Sequence, residues 1–136
     1  MLCSASCDIR HWRWRNGDGI GIHGEPGIWR AALRPADIVA TEMIERLLAE
    51  KPSGSGDRVS ILVNSLGATS VEELFILYRK AAALLTERGL EIVQPLVGPF
   101  VTSMEMAGAS ISLIFLDAEL ELLLSAPAHC PFWRVR

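Results

Sequence analysis

His23 stands in a glycine-bordered loop that could present its side chain to a ligand. Gly21 and Gly24 lie on either side of it, and Glu25 precedes a Pro-Gly pair. Glycine permits positive φ values and lets a ligand approach the main chain closely. A neutral imidazole is a nucleophile, and its addition to a ketone gives a hemiaminal, which a polyol cannot form. A lone histidine is more often structural, so the loop alone leaves both roles open.

Residues 19–24 also match the dinucleotide fingerprint G-x-G-x-x-G. That fingerprint works when a helix begins inside it and directs its N-terminal N–H groups at a pyrophosphate. Glu25 would instead place a carboxylate against the phosphates, and Pro26 followed by glycine disfavours a helix start. The sequence also has no G-x-x-x-x-G-K-[ST] phosphate loop. We therefore expect the chain to bind no nucleotide cofactor of its own.

The cysteines near the amino terminus invite comparison with a metal site. Cys3, Cys7 and His11 recur every four residues, and His23 would have to be assumed as a fourth ligand. Structural zinc sites pair closely spaced cysteines with a second ligand pair, and none follows here. Free cysteines without a metal are the favoured interpretation. With Cys130 the count is odd and no apolar signal segment is present, which predicts a cytoplasmic protein with reduced thiols.

Composition limits the classes of partner. The chain has 136 residues, half of them hydrophobic, enough for one domain with a modest core. The net charge of −3 is spread along the chain and argues against nucleic acid and against an anionic membrane. The basic and aromatic residues 10–15 are too short a cluster to change this. The apolar run at residues 111–116 is far too short to span a bilayer.

The pattern after Pro35 alternates between helix and strand. Helical spacing of apolar residues predicts helices over residues 36–50 and 70–89, the second opened by a Ser70–Glu73 capping box. Strands are predicted at residues 59–63, 91–97 and 110–116, with Pro95 bending the second or confining it to an edge. Asp117 should cap a last short helix. These elements predict an α/β two-layer sandwich with a mixed sheet and helices mainly on one face.

Four segments resemble a known family. Residues 21–28 are similar to the histidine loop of the substrate-binding subunit of dihydroxyacetone (glycerone) kinase. Residues 62–69, 96–108 and 125–133 resemble three later stretches of that subunit, in the same order. The resemblance runs from about Gly19 to the end of the chain. It implies that residues 19–136 are the C-terminal, second domain of that kinase fold, here incomplete.

The resemblance implies specific roles. His23 would hold dihydroxyacetone or a similar short ketose as a hemiaminal, within a substrate loop that includes Gly21, Gly24 and Glu25. The phosphoryl group would come from a separate nucleotide-bearing kinase subunit or domain, carried by ATP or by a phosphotransferase-fed carrier. The family's G-G-G-S-G-H-E-P segment and its catalytic aspartate belong to a preceding domain and are missing from this sequence. The chain is therefore expected to be a phosphotransferase part that is inactive alone.

Two alternatives stay open beside this interpretation. The chain could be a non-catalytic carbonyl-binding or regulatory module, or a truncated remnant without function. A domain without its usual neighbour would expose apolar surface, so a homodimer is a further expectation.

Residues 1–18 do not resemble the family. One hypothesis is out-of-frame coding of this segment, which predicts poor order or packing without a pattern. A well-packed, regular strand across Cys3 to Trp14 would count against that hypothesis.

Overall fold

The computed structural model describes residues 2–11, 15–18, 29–32, 34–102, 106–131 and 133–135, the first three ranges by their backbone. The helices are α1 (Ala36–Ala49), α2 (Val71–Glu87) and α3 (Ala118–Leu124). The strands are β1 (Leu2–His11), β2 (Arg15–Asp18), β3 (Trp29–Ala32), β4 (Arg58–Ser65), β5 (Glu91–Ile92), β6 (Leu96–Gly98), β7 (Gly108–Leu116), β8 (Ala128–Cys130) and β9 (Trp133–Val135). None of the helices in the described part of the chain is long and apolar enough to cross a membrane.

The helix boundaries follow from local signals. The Ser70 hydroxyl accepts from the Glu73 backbone N–H at 3.3 Å, and the Glu73 carboxylate accepts from the Ser70 N–H at 3.0 Å, which confirms the predicted capping box. Gly89 follows α2 with a φ of 77°, the left-handed conformation that favours glycine after a helix. Asp117 caps α3 through the Leu120 N–H at 2.8 Å, as predicted.

The sheet is mixed. Its strands lie in the order β3-β2-β1-β7-β4-β5 among the described residues, with β6 also paired to β4. Strands β5 and β6 run parallel to β4, whereas the other pairs are antiparallel. Strands β8 and β9 form a separate hairpin. The predicted mixed α/β architecture is confirmed.

Helices α1 and α2 pack together on one face of the sheet. Their apolar stripes form one cluster with alternate residues of β4 and β7. The strand residues of this cluster are Val59, Ile61, Val63, Ala109, Ile111, Leu113 and Phe115. The intervening positions include Ser60, Asn64 and Ser110, so polar side chains lie on the opposite face. The sheet therefore has one apolar face under the helices and a mixed face with buried polar groups.

Beside β4 lies an edge strand interrupted by one extra residue. On β4, Val59 and Leu62 are three positions apart. Their partners on the edge strand, Ile92 and Leu96, are four positions apart. Gln94 takes up the extra residue with a φ of 50°, and its backbone oxygen accepts from the Ser60 hydroxyl at 3.0 Å. The predicted strand over residues 91–97 is therefore divided by this bulge into β5 and β6, and its predicted place at an edge of the sheet is confirmed for the described residues.

Helix α3 is attached through polar contacts, because none of its residues is buried. The Glu121 carboxylate accepts two hydrogen bonds from Arg58, each 2.6 Å long. Arg58 also donates to Glu91 at 2.6 Å. Ser125, at the end of α3, accepts from the Gln94 side chain at 2.9 Å. The attachment of α3 therefore depends on the ionisation of Glu121.

Acid should weaken this attachment. The hydrogen bonds from Arg58 hold the pKa of Glu121 below its ordinary value, while the pKa of Arg58 is raised. The pair therefore contributes stability above the ordinary glutamate value of about 4.3 and loses it as pH falls through the lowered pKa. The NMR resonance of the Arg58 Nε–H, which faces Glu121, should report this transition.

Two glutamate-to-glutamine variants, one at each acidic partner of Arg58, test whether this transition belongs to Glu121. Glu121→Gln should remove the transition. Glu91→Gln should retain it, because Glu91 contacts Nη1 of Arg58 and not Nε. An unchanged titration in Glu121→Gln would contradict the assignment.

Strand β1 bears on the hypothesis of out-of-frame coding. It pairs with β7 at seven consecutive positions, from Leu2–Ile114 to Asp8–Gly108. Residues 12–14 lie outside the described residues, as does the packing of the β1 side chains, so the hypothesis stays a prediction. The proposed division of the chain between residues 18 and 19 stays a prediction.

Candidate active site

The predicted site residues His23, Gly21, Gly24 and Glu25 lie outside the described residues. The structure does describe the two positions that bracket them. Asp18 ends β2, Trp29 begins β3, and these two residues are register partners in an antiparallel pair. Both ends of the segment 19–28 are therefore held side by side at the sheet.

One row of register partners, taken from four neighbouring strands, connects Asp18 to the core of the sheet. Asp18 is opposite Cys7 of β1, Cys7 is opposite Ala109 of β7, and Ala109 is opposite Ser65 of β4. Ala109 is fully buried and Ser65 nearly so. Close-packed buried residues have little freedom to move, so this row of paired residues restrains the backbone at Asp18.

Ser65 organises the turn between β4 and α2. Its hydroxyl donates to the Thr69 carbonyl at 2.8 Å and accepts from the Gly67 N–H at 3.2 Å. Gly67 has a φ of 138° and forms a bridge with Met106, whose carbonyl accepts from Ala68 N–H at 3.0 Å. The Ser65 hydroxyl therefore both donates and accepts within this turn.

Asn64 fixes the loop that follows β6, a role that was not predicted from the sequence. Its side chain is 2% exposed. The amide oxygen accepts from the backbone N–H groups of Phe100 and Val101, both at 2.8 Å. The amide nitrogen donates to the Val101 carbonyl at 2.7 Å and to the Ser110 hydroxyl at 3.3 Å. One side chain thus satisfies three backbone groups of a loop for which a strand ladder offers no partner.

The same loop contacts the C-terminal hairpin. The Phe100 and Trp133 rings meet edge to face, with their centroids 5.1 Å apart. The segments 62–69 and 96–102 are joined through Asn64, and the hairpin is joined to them through this aromatic pair. The structure therefore brings together described parts of the three later family-like segments. Whether they adjoin His23 lies outside the described residues.

No metal centre is formed by the described residues. In this part of the chain, no group of three His, Cys, Asp or Glu side chains could hold an ion. Cys3, Cys7 and His11 lie along one extended strand, β1. Four residues of strand span about 13 Å, so these three residues cannot converge on a single ion.

Comparison with known proteins identifies relatives of most of the chain. The model of the Dak1 domain family matches residues 16–132. An L-erythrulose kinase of Pectobacterium atrosepticum is 48% identical over 120 residues, which cover 85% of this chain and 20% of that protein. The dihydroxyacetone-binding subunit DhaK of the PTS-dependent dihydroxyacetone kinase 2 of Listeria innocua is 44% identical over 117 residues, covering 86% of this chain and 35% of that subunit.

Solved structures agree with this relationship. The dihydroxyacetone kinase from C. freundii in complex with AMP-PNP and Mg²⁺ matches with a TM-score of 0.77 and 27% identity, over 92% of this chain and 25% of that one. The dihydroxyacetone kinase operon co-activator DhaQ matches with a TM-score of 0.80 and 26% identity, over 93% and 43% of the two chains. This chain therefore spans between 20% and 43% of the length of these relatives.

Proposed function

Because the chain belongs to the Dak1 domain family, we propose that it is the ketose-holding part of a kinase for dihydroxyacetone or erythrulose. The observation that carries the proposal is the family match over residues 16–132, which includes the histidine loop. The names of the relatives favour short ketoses as the substrate class, because they include erythrulose kinases and a dihydroxyacetone-binding subunit.

His23 would hold the ketose by covalent addition. The unprotonated nitrogen of the neutral imidazole forms a C–N bond to the carbonyl carbon, and the electron pair of the C=O π bond moves to the oxygen. That oxygen takes up a proton while the other ring nitrogen loses one, so the adduct is neutral. No atom leaves, and the terminal hydroxyls of the ketose stay free to accept phosphate. Gly21, Gly24 and Glu25 would shape the loop around this adduct. Glycerol has no carbonyl and would not be held.

The phosphoryl group would come from a partner. The matched solved kinase was crystallised with AMP-PNP and Mg²⁺, but it extends far beyond the part that matches this chain. In our proposal the nucleotide, or a phosphotransferase-fed carrier, lies on a separate subunit or domain. The chain would then be inactive by itself, in the cytoplasm, either as a single copy or as a homodimer.

Intact-mass spectrometry would test ketose capture. The wild-type chain should gain the full mass of one dihydroxyacetone or one erythrulose and should gain nothing from glycerol. If neither ketose is captured at millimolar concentration, the proposal fails. Adding a nucleotide-bearing dihydroxyacetone kinase subunit with ATP, and in parallel a phosphotransferase-fed subunit, should then show whether the held ketose is phosphorylated.

A regulatory module is a second candidate, favoured by the likeness to the operon co-activator DhaQ. Such a module would capture the ketose without phosphoryl transfer in either reconstitution. Capture followed by transfer would exclude it.

A further inference from the structure

The hairpin of β2 and β3 is joined to the rest of the described sheet through a single strand. In the strand order, β1 alone lies between this hairpin and β7. The hairpin carries both ends of the segment 19–28, at Asp18 and Trp29. Within the described backbone, Asp18 and Trp29 are therefore connected to the core of the sheet through β1.

Strand β1 pairs more regularly with β7 on one side than with β2 on the other. Its pairing with β7 is continuous over seven positions, and Cys3, Ala5 and Cys7 are the register partners of fully buried residues of β7. Those partners are Leu113, Ile111 and Ala109. Its pairing with β2 covers fewer positions and shifts between Asp8 and His11. The hairpin is thus held mainly where Cys7 and Asp8 meet Asp18 and Gly17.

The whole of this connecting strand belongs to a part of the chain that the family match does not cover. The match begins at residue 16, whereas β1 spans Leu2–His11. We propose that β1 is the positioning element for the His23 segment, with Cys7 at its central contact. This inference rests on the proposed function of His23 and adds to it a segment that the family comparison does not include.

The physical basis is the sensitivity of covalent capture to geometry. Nucleophilic addition needs the reacting atoms in a near-attack arrangement, and a misplacement of about 1 Å can cost about 100-fold in rate. A hairpin of short strands is marginal by itself and needs a third strand for a defined position. Proline at position 7 would disturb the pairing of Cys7 with both Asp18 and Ala109. Strand β7 keeps its other pairs with β1 and its continuous pairing with β4, whereas β2 keeps only two other pairs with β1, so the loss should be felt mainly at β2.

Paired substitutions at Cys7 test the proposal. Cys7→Pro removes the N–H group and should lower the rate of ketose capture about 10- to 100-fold. Cys7→Val removes the thiol but keeps a good strand former, and should capture at the wild-type rate. Amide hydrogen exchange should show lost protection at residues 15–18 and 29–32 in Cys7→Pro only. Residues 58–65 and 108–116 should stay protected in both variants.

Two results would overturn the proposal. One is unchanged capture and unchanged protection of residues 15–18 in Cys7→Pro. The other is loss of protection in β4 and β7 together with β2, which would make β1 an inseparable part of one folding unit. If the wild-type chain captures no ketose, the function proposed for His23 fails, but the exchange experiment still decides whether β1 holds the hairpin.

Discussion

Replacing His23 with alanine is expected to abolish covalent capture of dihydroxyacetone. The hemiaminal needs the imidazole nitrogen, and alanine offers no nucleophile in its place. In the wild-type chain the adduct should add the full mass of the ketose, because N–H addition across a carbonyl releases no water. A Schiff base on Lys51 or Lys80, the two lysines of the sequence, would instead add the ketose mass less one water.

The chain provides a matched control for this prediction. His129 is an exposed histidine in β8, outside the family-like histidine loop. His129→Ala should capture the ketose as the wild type does, and thermal unfolding should show that both variants are folded. Capture that survives in His23→Ala but disappears in His129→Ala would refute the role given to His23. An adduct that borohydride traps as a stable amine would indicate lysine chemistry.

Replacing Asn64 with leucine is expected to lower the free energy of unfolding by about 3 kcal/mol. Leucine has a similar size but leaves the Phe100 and Val101 N–H groups and the Val101 carbonyl without their partner. A buried polar group left without a hydrogen bond costs about 1–3 kcal/mol, and water can reach part of this loop because Val101 is 56% exposed. Urea denaturation of both proteins would measure the difference.

Ser110→Ala is the matched control for Asn64. It removes only the longest of the contacts made by the Asn64 side chain, at 3.3 Å, and leaves the three backbone groups satisfied. We expect a loss of less than about 1 kcal/mol. Equal losses in the two variants would show that the loop contacts of Asn64 add little to stability.

Much of the helical layer and the central sheet could be predicted from local sequence. Ser70 and Glu73 mark the start of α2, and both side chains act only on residues three positions away. Strands β4 and β7 carry apolar residues at alternate positions, as strands with one face against the helices require. Pro95 marks the break in the edge strand because it cannot donate a backbone hydrogen bond. In each case the physical cause lies within a few residues of the signal.

The features that escaped prediction depend on contacts distant in sequence. Strand β1 has arginine and histidine at its end and no apolar run, and its regular partner β7 begins 100 residues after Asp8. Asn64 lies in a largely buried strand, and its loop partners are 36 and 37 residues further on. No spacing rule links such positions. An asparagine inside a buried strand is nevertheless a signal, because its amide must find partners there.

The extra residue at Gln94 has a consequence for assembly. A straight, unpaired strand edge can template the addition of strands from other copies and so lead to filaments. Here the edge beside β4 is split into β5, of two residues, and β6, of three residues. Pro95 lies between them and the charged Glu91 lies at one end. An incoming strand would find only short, misaligned ladders of hydrogen bonds. Within the described part of the sheet, the edge formed by β5 and β6 therefore offers no template longer than three residues to a strand of another copy.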